Sequence, residues 1–296
     1  MDEPVNSYND LIKIHPCFSE QDHNACARIY LPVAPDCNIH CRYCNRTYDC
    51  VNESRHGVIS TTLSPKEAID NVESLIRHDD NIRVICVAGP GESLANETIL
   101  GTLQSISRKF PNLILCVSTN GLLLYERLEG LVKAGVKALT ITINAVTLKT
   151  AEKIYSKAYF HGQWYEGSEA ADIILMKQWQ GLINVIDAGL IVKVNSVLIP
   201  GVNDQDIPFI AEHAGHLGAD LMQILPLTWQ SEFGHTTQPE LNSLATLRNQ
   251  CESFISQMDF CQKCSSDRRG TYEGIIYREG GAIGPHIHET LIEELV

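Results

Sequence analysis

Residues 27–50 read ARIYLPVAPDCNIHCRYCNRTYDC, and the two halves of this stretch set fold and chemistry together. ARIYLPVA (27–34) is an apolar run of strand length. Just beyond it come four cysteines in fourteen residues, Cys37, Cys41, Cys44 and Cys50. Structural zinc sites use paired CxxC or Cys/His elements with four ligands, and the common ferredoxin run is CxxCxxC with a further cysteine. The spacing CxxxCxxC fits neither. Three thiolates on one loop suit three irons of a [4Fe-4S] cube, with the fourth iron left open to chelate a small molecule.

The strand-then-helix pattern repeats downstream. RVICVAG (83–89), NLILCVS (112–118), KALTITI (137–143), LIVKVNSVLI (190–199) and ADLMQIL (219–225) read as five more strands. Helices are expected after Ser64, where Ser64-Pro65-Lys66-Glu67 has a capping-box pattern, near 95–109, within LLLYERLEGLVKAG, and near 204–216. Six strands alternating with helices predict an α/β fold with a parallel sheet. Polar residues gather where the strands end, at Gly89-Pro90-Gly91-Glu92, Ser118-Thr119-Asn120-Gly121, Asn144, Asn195-Ser196 and Gln223. Ligands of parallel sheets bind outside the carboxyl ends of the strands, so these sets should converge on one site. The aromatic-rich stretch 155–170 reads as a lid or surface loop.

Bulk composition narrows the function classes. A chain of 296 residues holds one large core or at most two. No apolar run approaches the ~18 to 20 residues needed to span a bilayer, and the acidic start MDEPVNSYND is neither a signal nor a transit peptide, so a cytoplasmic location is expected. A net charge of -13 disfavours nucleic acid or an anionic membrane as partner, because both need a positive surface. Eleven cysteines without a secretion signal read as metal ligands rather than as a disulfide framework.

With the triplet heading six β/α units, and with Tyr43 just before its third cysteine, the chain resembles the radical S-adenosylmethionine (SAM) superfamily. The resemblance implies a radical SAM partial (β/α)6 TIM-like barrel and a [4Fe-4S] cluster on Cys37, Cys41 and Cys44. The open iron would bind the amino and carboxylate groups of SAM, and one electron would yield a 5′-deoxyadenosyl radical. GPGE (89–92) corresponds to the segment that holds the methionine amino group, with Gly89 and Gly91 allowing close backbone approach and Glu92 facing the ammonium. Taken alone it is an ordinary turn. Tyr43, Ser118, Asn120, Thr142, Asn144 and Asn195 are the remaining candidate contacts to SAM, although each singly could cap a helix or satisfy a turn.

Further stretches narrow the resemblance to the NifB family of nitrogenase cofactor assembly: HPCFSEQDH (15–23), YDCVNESR (48–55), AGPGESLAN (88–96), STNG (118–121), NSVLIPGVND (195–204) and CQKC (261–264). This implies two additional [4Fe-4S] clusters, fused with an added sulfide and a carbon from SAM into an eight-iron precursor. Clusters that must merge and leave need few protein ligands. Cys17, Cys50 and His23 are assigned to one, and Cys116, Cys261 and Cys264 to the other, with His15 an alternative to His23 and Cys116 able to serve either. Glu53 and Arg55 are candidates for proton handling beside Cys50, or else form a surface ion pair. Cys26, Cys86 and Cys251 read as small core residues.

The organisation expected is an N-terminal extension (1–26) and a C-terminal extension (259–296) covering the open end of a barrel formed by 27–258, in a stand-alone form without a carrier domain. The implied partners are SAM, iron-sulfur cluster donor proteins and a downstream cofactor carrier or scaffold. A rival, the molybdopterin-precursor cyclase, would need a third cysteine after the CxxC. A non-catalytic iron-sulfur carrier would form no 5′-deoxyadenosine.

Overall fold

All six expected strands form, and they pair in parallel in the order their sequence suggests. The computed structural model describes residues 8–18, 26–50, 52, 58–227, 233, 241–258, 267–268 and 276–277. α1 (Tyr8–Ile14) is followed by β1 (Ala27–Leu31), β2 (Ile39–Cys41) and β3 (Val58–Ile59). α2 (Pro65–Ile76) leads into β4 (Ile82–Val87), α3 (Ile99–Lys109) into β5 (Ile114–Thr119), and α4 (Leu124–Lys133) into β6 (Val136–Thr142). Next come α5 (Leu148–Ile154), β7 (Tyr155–Phe160), β8 (Gln163–Glu166), α6 (Gly167–Asp187), β9 (Ile191–Leu198), α7 (Asp206–Leu217), β10 (Leu221–Pro226), α8 (Leu241–Cys251), β11 (Asp267–Arg268) and β12 (Ile276–Tyr277).

The main sheet runs β10-β9-β6-β5-β4-β1-β11, parallel throughout. It curls into a partial barrel. Both faces are buried, which is why the strands read as continuous apolar runs. Leu115 and Val117 of β5 pack outward with Leu103, Ile106 and Leu131 of the helices. Ile114 and Cys116 point inward, with Val84, Cys86, Ala138 and Ile191. α2 starts at the expected capping box: Glu67 N–H donates to Ser64 Oγ at 3.3 Å and Ser64 N–H to the Glu67 carboxylate at 2.8 Å. No helix among the described residues is long and apolar enough to cross a membrane.

The stretch 155–170 is not a loop. It is the hairpin β7–β8 and the first turn of the 21-residue α6. The hairpin turn is His161-Gly162, both at positive φ (48° and 85°), the geometry of a two-residue primed turn that suits the twist of paired strands. β7 also pairs antiparallel with β2, inside the cysteine triplet.

α1, from the N-terminal segment, lies at the amino end of the barrel. Leu11 of α1 packs beside Ile114 and Ile191, the first residues of β5 and β9, and the Tyr8 hydroxyl donates to Asp220, just before β10. In the C-terminal extension, β11 lengthens the sheet beyond β1 and β12 pairs antiparallel with β3.

Candidate active site

At the carboxyl end of the sheet, the segment carrying the triplet is clamped to the end of β4 by backbone. Gly91 N–H donates to Ala34 O at 2.6 Å, Glu92 N–H to Asp36 O at 2.7 Å, and Cys50 N–H to Pro90 O at 3.1 Å. The Arg46 guanidinium spans both segments, donating to Pro35 O at 2.8 Å and Pro90 O at 3.2 Å. A Cβ at position 91 would lie 2.2 Å from Asp36 O. The neighbouring segment therefore by itself demands glycine at this position, which also lines the cavity described next. The clamp brings Glu92 beside the cysteines.

A cavity of about 210 Å³ opens there, lined by Cys37, Cys41, Cys44, Cys50, Glu92 and Thr142 among others. Burial drives the thiols up: Cys37 to about 11, with the Glu92 charge adding to it, Cys41 well above its ordinary value, and Cys44 upward. Glu92 is 4% exposed. Its carboxylate accepts from Leu94 N–H at 3.0 Å, Asn120 N–H at 2.6 Å and the Thr119 hydroxyl. Burial nevertheless holds its carboxyl at about 7 against these donors. Among the described residues it has no cationic partner.

Other candidates divide between lining and framework. Asn144, expected to touch SAM, is occupied by the protein: its Nδ2 donates to the hydroxyls of Tyr43 at 2.9 Å and Tyr155 at 3.3 Å, and its Oδ1 accepts from Val197 N–H at 2.8 Å. Tyr43, buried, donates onward to Asn52 Oδ1 at 3.1 Å, and Asn195 Nδ2 donates to Asn52 O at 2.6 Å. Asn120 donates to Asn38 Oδ1 at 2.8 Å and lies 4.0 Å from the Cys37 sulfur. Ser118 Oγ, one residue before the end of β5, and Asn195 Oδ1, in register with Thr142 at the end of β6, are buried with no hydrogen-bond partner among the described residues. Gly89 sits at φ 55°, a left-handed conformation that favours glycine.

A second group of thiols lies inside the barrel, where Cys116 stands two residues before Ser118 on the same face of β5. The Arg28 guanidinium donates to Cys17 Sγ at 2.7 Å, and Cys17 N–H donates to His15 Nδ1 at 3.2 Å. Burial alone would raise Cys17, yet Arg28, then Lys193 and His15, bring it down to about 6. Cys116 falls well below its ordinary value, through a hydrogen bond from Cys86 first and, against burial, through His15 and Arg28. His15 is raised to about 9: burial opposes this, and Cys116 and Cys17 outweigh it.

The structure therefore joins Cys17 to His15 and Cys116, whereas Cys50 lines the triplet's cavity. His23, Glu53, Arg55, Cys261 and Cys264 lie outside the described residues. Cys26 and Cys251 are buried as expected, but Cys86, also buried, is more than filler because it faces Cys116 in register. Arg28 and Lys193 were missed, although a charge inside ARIYL and another inside LIVKVNSVLI were visible signals. Among the described residues no three Cys, His, Asp or Glu side chains are gathered tightly enough to share one metal ion.

A model of the Radical SAM superfamily matches residues 31–214. The FeMo cofactor biosynthesis protein NifB of Klebsiella pneumoniae is 40% identical over 268 residues, covering 88% of this chain and 57% of that protein. Its counterpart in Methanocaldococcus infernus is 36% identical over 270 residues and is covered to 89%, with 90% of this chain. The chain belongs to the NifB family of radical SAM proteins. It spans 57% of the Klebsiella protein and 62% of the NifB of Chlorobaculum tepidum, so what those longer proteins do does not transfer whole.

Radical SAM membership implies a [4Fe-4S] cluster and SAM, and the residues present fit both. Three thiols on one cavity suit three irons of a cube. The buried Glu92 carboxyl lacks a cation that an ammonium would supply, and Ser118 Oγ and Asn195 Oδ1 offer unpaired polar atoms close to the same end of the sheet.

Proposed function

We propose that this chain is a radical SAM enzyme of FeMo-cofactor biosynthesis, which fuses two [4Fe-4S] clusters, as substrates, with a SAM-derived carbide and an added sulfide into an eight-iron precursor. The observation that carries the reading is the pair of thiol groups: a triplet around a cavity with a cation-hungry carboxylate, and His15, Cys17 and Cys116 within the barrel below it. Cys37, Cys41 and Cys44 would hold the SAM cluster, which when bound supplies the electron that cleaves SAM to a 5′-deoxyadenosyl radical. Glu92 would take the methionine ammonium, with Gly89, Gly91, Ser118, Asn120, Thr142 and Asn195 completing the SAM site and Tyr43 and Asn144 bracing it.

His15, Cys17 and Cys116 would hold substrate clusters with few ligands, together with Cys50, Cys261 and Cys264, and with His23 as the alternative imidazole. Glu53 and Arg55 are kept as candidates for proton handling. One SAM would donate its methyl group to a substrate sulfide, and the radical from a second would abstract a methyl hydrogen. SAM, cluster donor proteins and a downstream carrier or scaffold are the partners this chemistry needs. The parts assigned are the N-terminal extension 1–26, the barrel 27–258 and the C-terminal extension 259–296.

The test is anaerobic iron and sulfide quantification with spectroscopy on the wild type and on a Cys37/Cys41/Cys44→Ala variant, alongside 5′-deoxyadenosine formation. About eight irons retained by a variant that no longer cleaves SAM support two further clusters. Near-zero iron sinks the three-cluster reading.

A further inference from the structure

The three-stranded sheet β2-β7-β8 stands apart from the main sheet, and beyond Cys41 at the end of β2 none of the roles above uses it. On one side β7 pairs with β2, placing His40 opposite Lys157. On the other it pairs with β8, placing Lys157 opposite Glu166 and Tyr159 opposite Trp164. Opposed residues and residues two apart share a face of a sheet, so His40, Lys157, Tyr159, Trp164 and Glu166 stand together.

This face fronts the triplet's cavity, for His40, Lys157 and Trp164 line it with the three thiols and Glu92. Trp164 does so while 57% exposed. Its ring meets Tyr159 at a centroid distance of 5.2 Å, and the neighbouring Lys157 is fixed by Glu166 at 2.7 Å. An indole held by a neighbouring ring, with much of its surface still in water at a cavity wall, is suited to cover a second planar group.

Glu92 after β4, Thr119 at the end of β5, Thr142 at the end of β6 and Trp164 of the hairpin line one cavity. A ligand whose ammonium meets Glu92 and that fills this cavity meets the hairpin as well. SAM presents in turn an amino-acid end, a sulfonium, a ribose and an adenine.

We propose that Trp164 forms the adenine wall of the SAM site, its indole stacking on the base with Tyr159 as support. This rests on the radical SAM reading of the cavity. The hairpin is stapled to the cluster loop through β2, so the wall keeps its place relative to the three thiols.

The experiment compares anaerobically reconstituted wild type, Trp164→Ala and Trp164→Phe by equilibrium dialysis against SAM, 5′-deoxyadenosine and L-methionine in turn, with iron content measured on each sample. Trp164→Ala should weaken SAM and 5′-deoxyadenosine on the order of tenfold, the scale of one base–aromatic stack, and leave methionine binding and iron unchanged. Trp164→Phe should restore most of the affinity. Unchanged SAM affinity in Trp164→Ala overturns the proposal, as does an equal loss for methionine accompanied by loss of iron. Wild type that carries the triplet's cluster but binds none of the three ligands overturns the underlying reading of the cavity instead.

Discussion

At the carboxyl end of the strands, burial drives the thiols of Cys37 and Cys41 up, and among the charges acting on Cys37 is that of Glu92, which adds to the effect. Inside the barrel, thiols just as buried are pulled down, Cys17 by Arg28, Lys193 and His15, and Cys116 by a hydrogen bond from Cys86 and then by His15 and Arg28. The difference is one of neighbours, not of depth. At the triplet Arg46 pulls the thiols down but does not outweigh burial, so they lean toward the protonated form until a metal displaces the proton. The interior thiols are drawn toward the anion by a buried charge network, and such a network is costly to break by removing one member.

The largest expected effect separates the two regions outright. The Cys37/Cys41/Cys44→Ala variant should lose SAM cleavage to background and keep the irons of the interior, whereas a Cys17→Ala, Cys116→Ala double variant should keep 5′-deoxyadenosine formation and lose iron. Loss of both properties in both variants would show that the regions are not independent.

Next in size, Arg28→Met leaves Cys17 without its buried donor and should destabilise the metal-free protein by about 3 kcal/mol in chemical denaturation. Arg46→Met, which removes more exposed bonds to carbonyls at the triplet, should cost less than about 1 kcal/mol. Equal costs would erase the contrast between the regions.

Gly91→Ala forces a methyl group against Asp36 O and should cost about 2 kcal/mol, with the loss felt at the triplet because Glu92 and the loop part company. A normal iron content with weakened SAM binding is the outcome to look for.

A smaller effect follows from the Glu92 carboxyl, raised to about 7 by burial. An acid with a raised value is ionised only above it, so the charge that meets an ammonium fades as pH falls through 7. SAM affinity should drop by up to about tenfold per pH unit below that point, and Glu92→Gln should bind weakly at every pH with a flatter profile. A wild-type profile flat from pH 8 to 6 would remove Glu92 from this role. The smallest change, Ser64→Ala, breaks the α2 capping box far from both thiol groups. It should cost about 1 kcal/mol in thermal or chemical denaturation, with SAM binding unaltered.

Much of the fold was legible because both faces of the sheet are buried, which makes each strand a plain apolar run, and because α2 carries its own start signal. The hairpin was not legible as such: YSKAYFHGQWYE has aromatic residues on both faces, and its turn signal, His161-Gly162, lacks the usual Asn or Asp. Its pairing with β2 lies 116 residues away along the chain, between His40 and Ser156, whose Nδ1 and Oγ sit 2.6 Å apart. The site followed the same division. Cys37, Cys41, Cys44 and Glu92 announced themselves by spacing and by position after a strand, whereas Arg28, Lys193 and Trp164 became relevant only where their strands carried them.

Read alone, the sequence determined the local matters: six buried strands, a three-thiol loop after the first, and a glycine-rich exit after the second. Each is settled by residues close together in the chain, through periodicity, spacing and capping. Only the tertiary structure decided which thiols share surroundings, that Cys17 stands with His15 and Cys116 while Cys50 turns to the triplet's cavity, and that an aromatic hairpin walls that cavity. The physical reason is that charge and solvation at a thiol depend on every group packed around it, and those groups come from strands far apart in sequence.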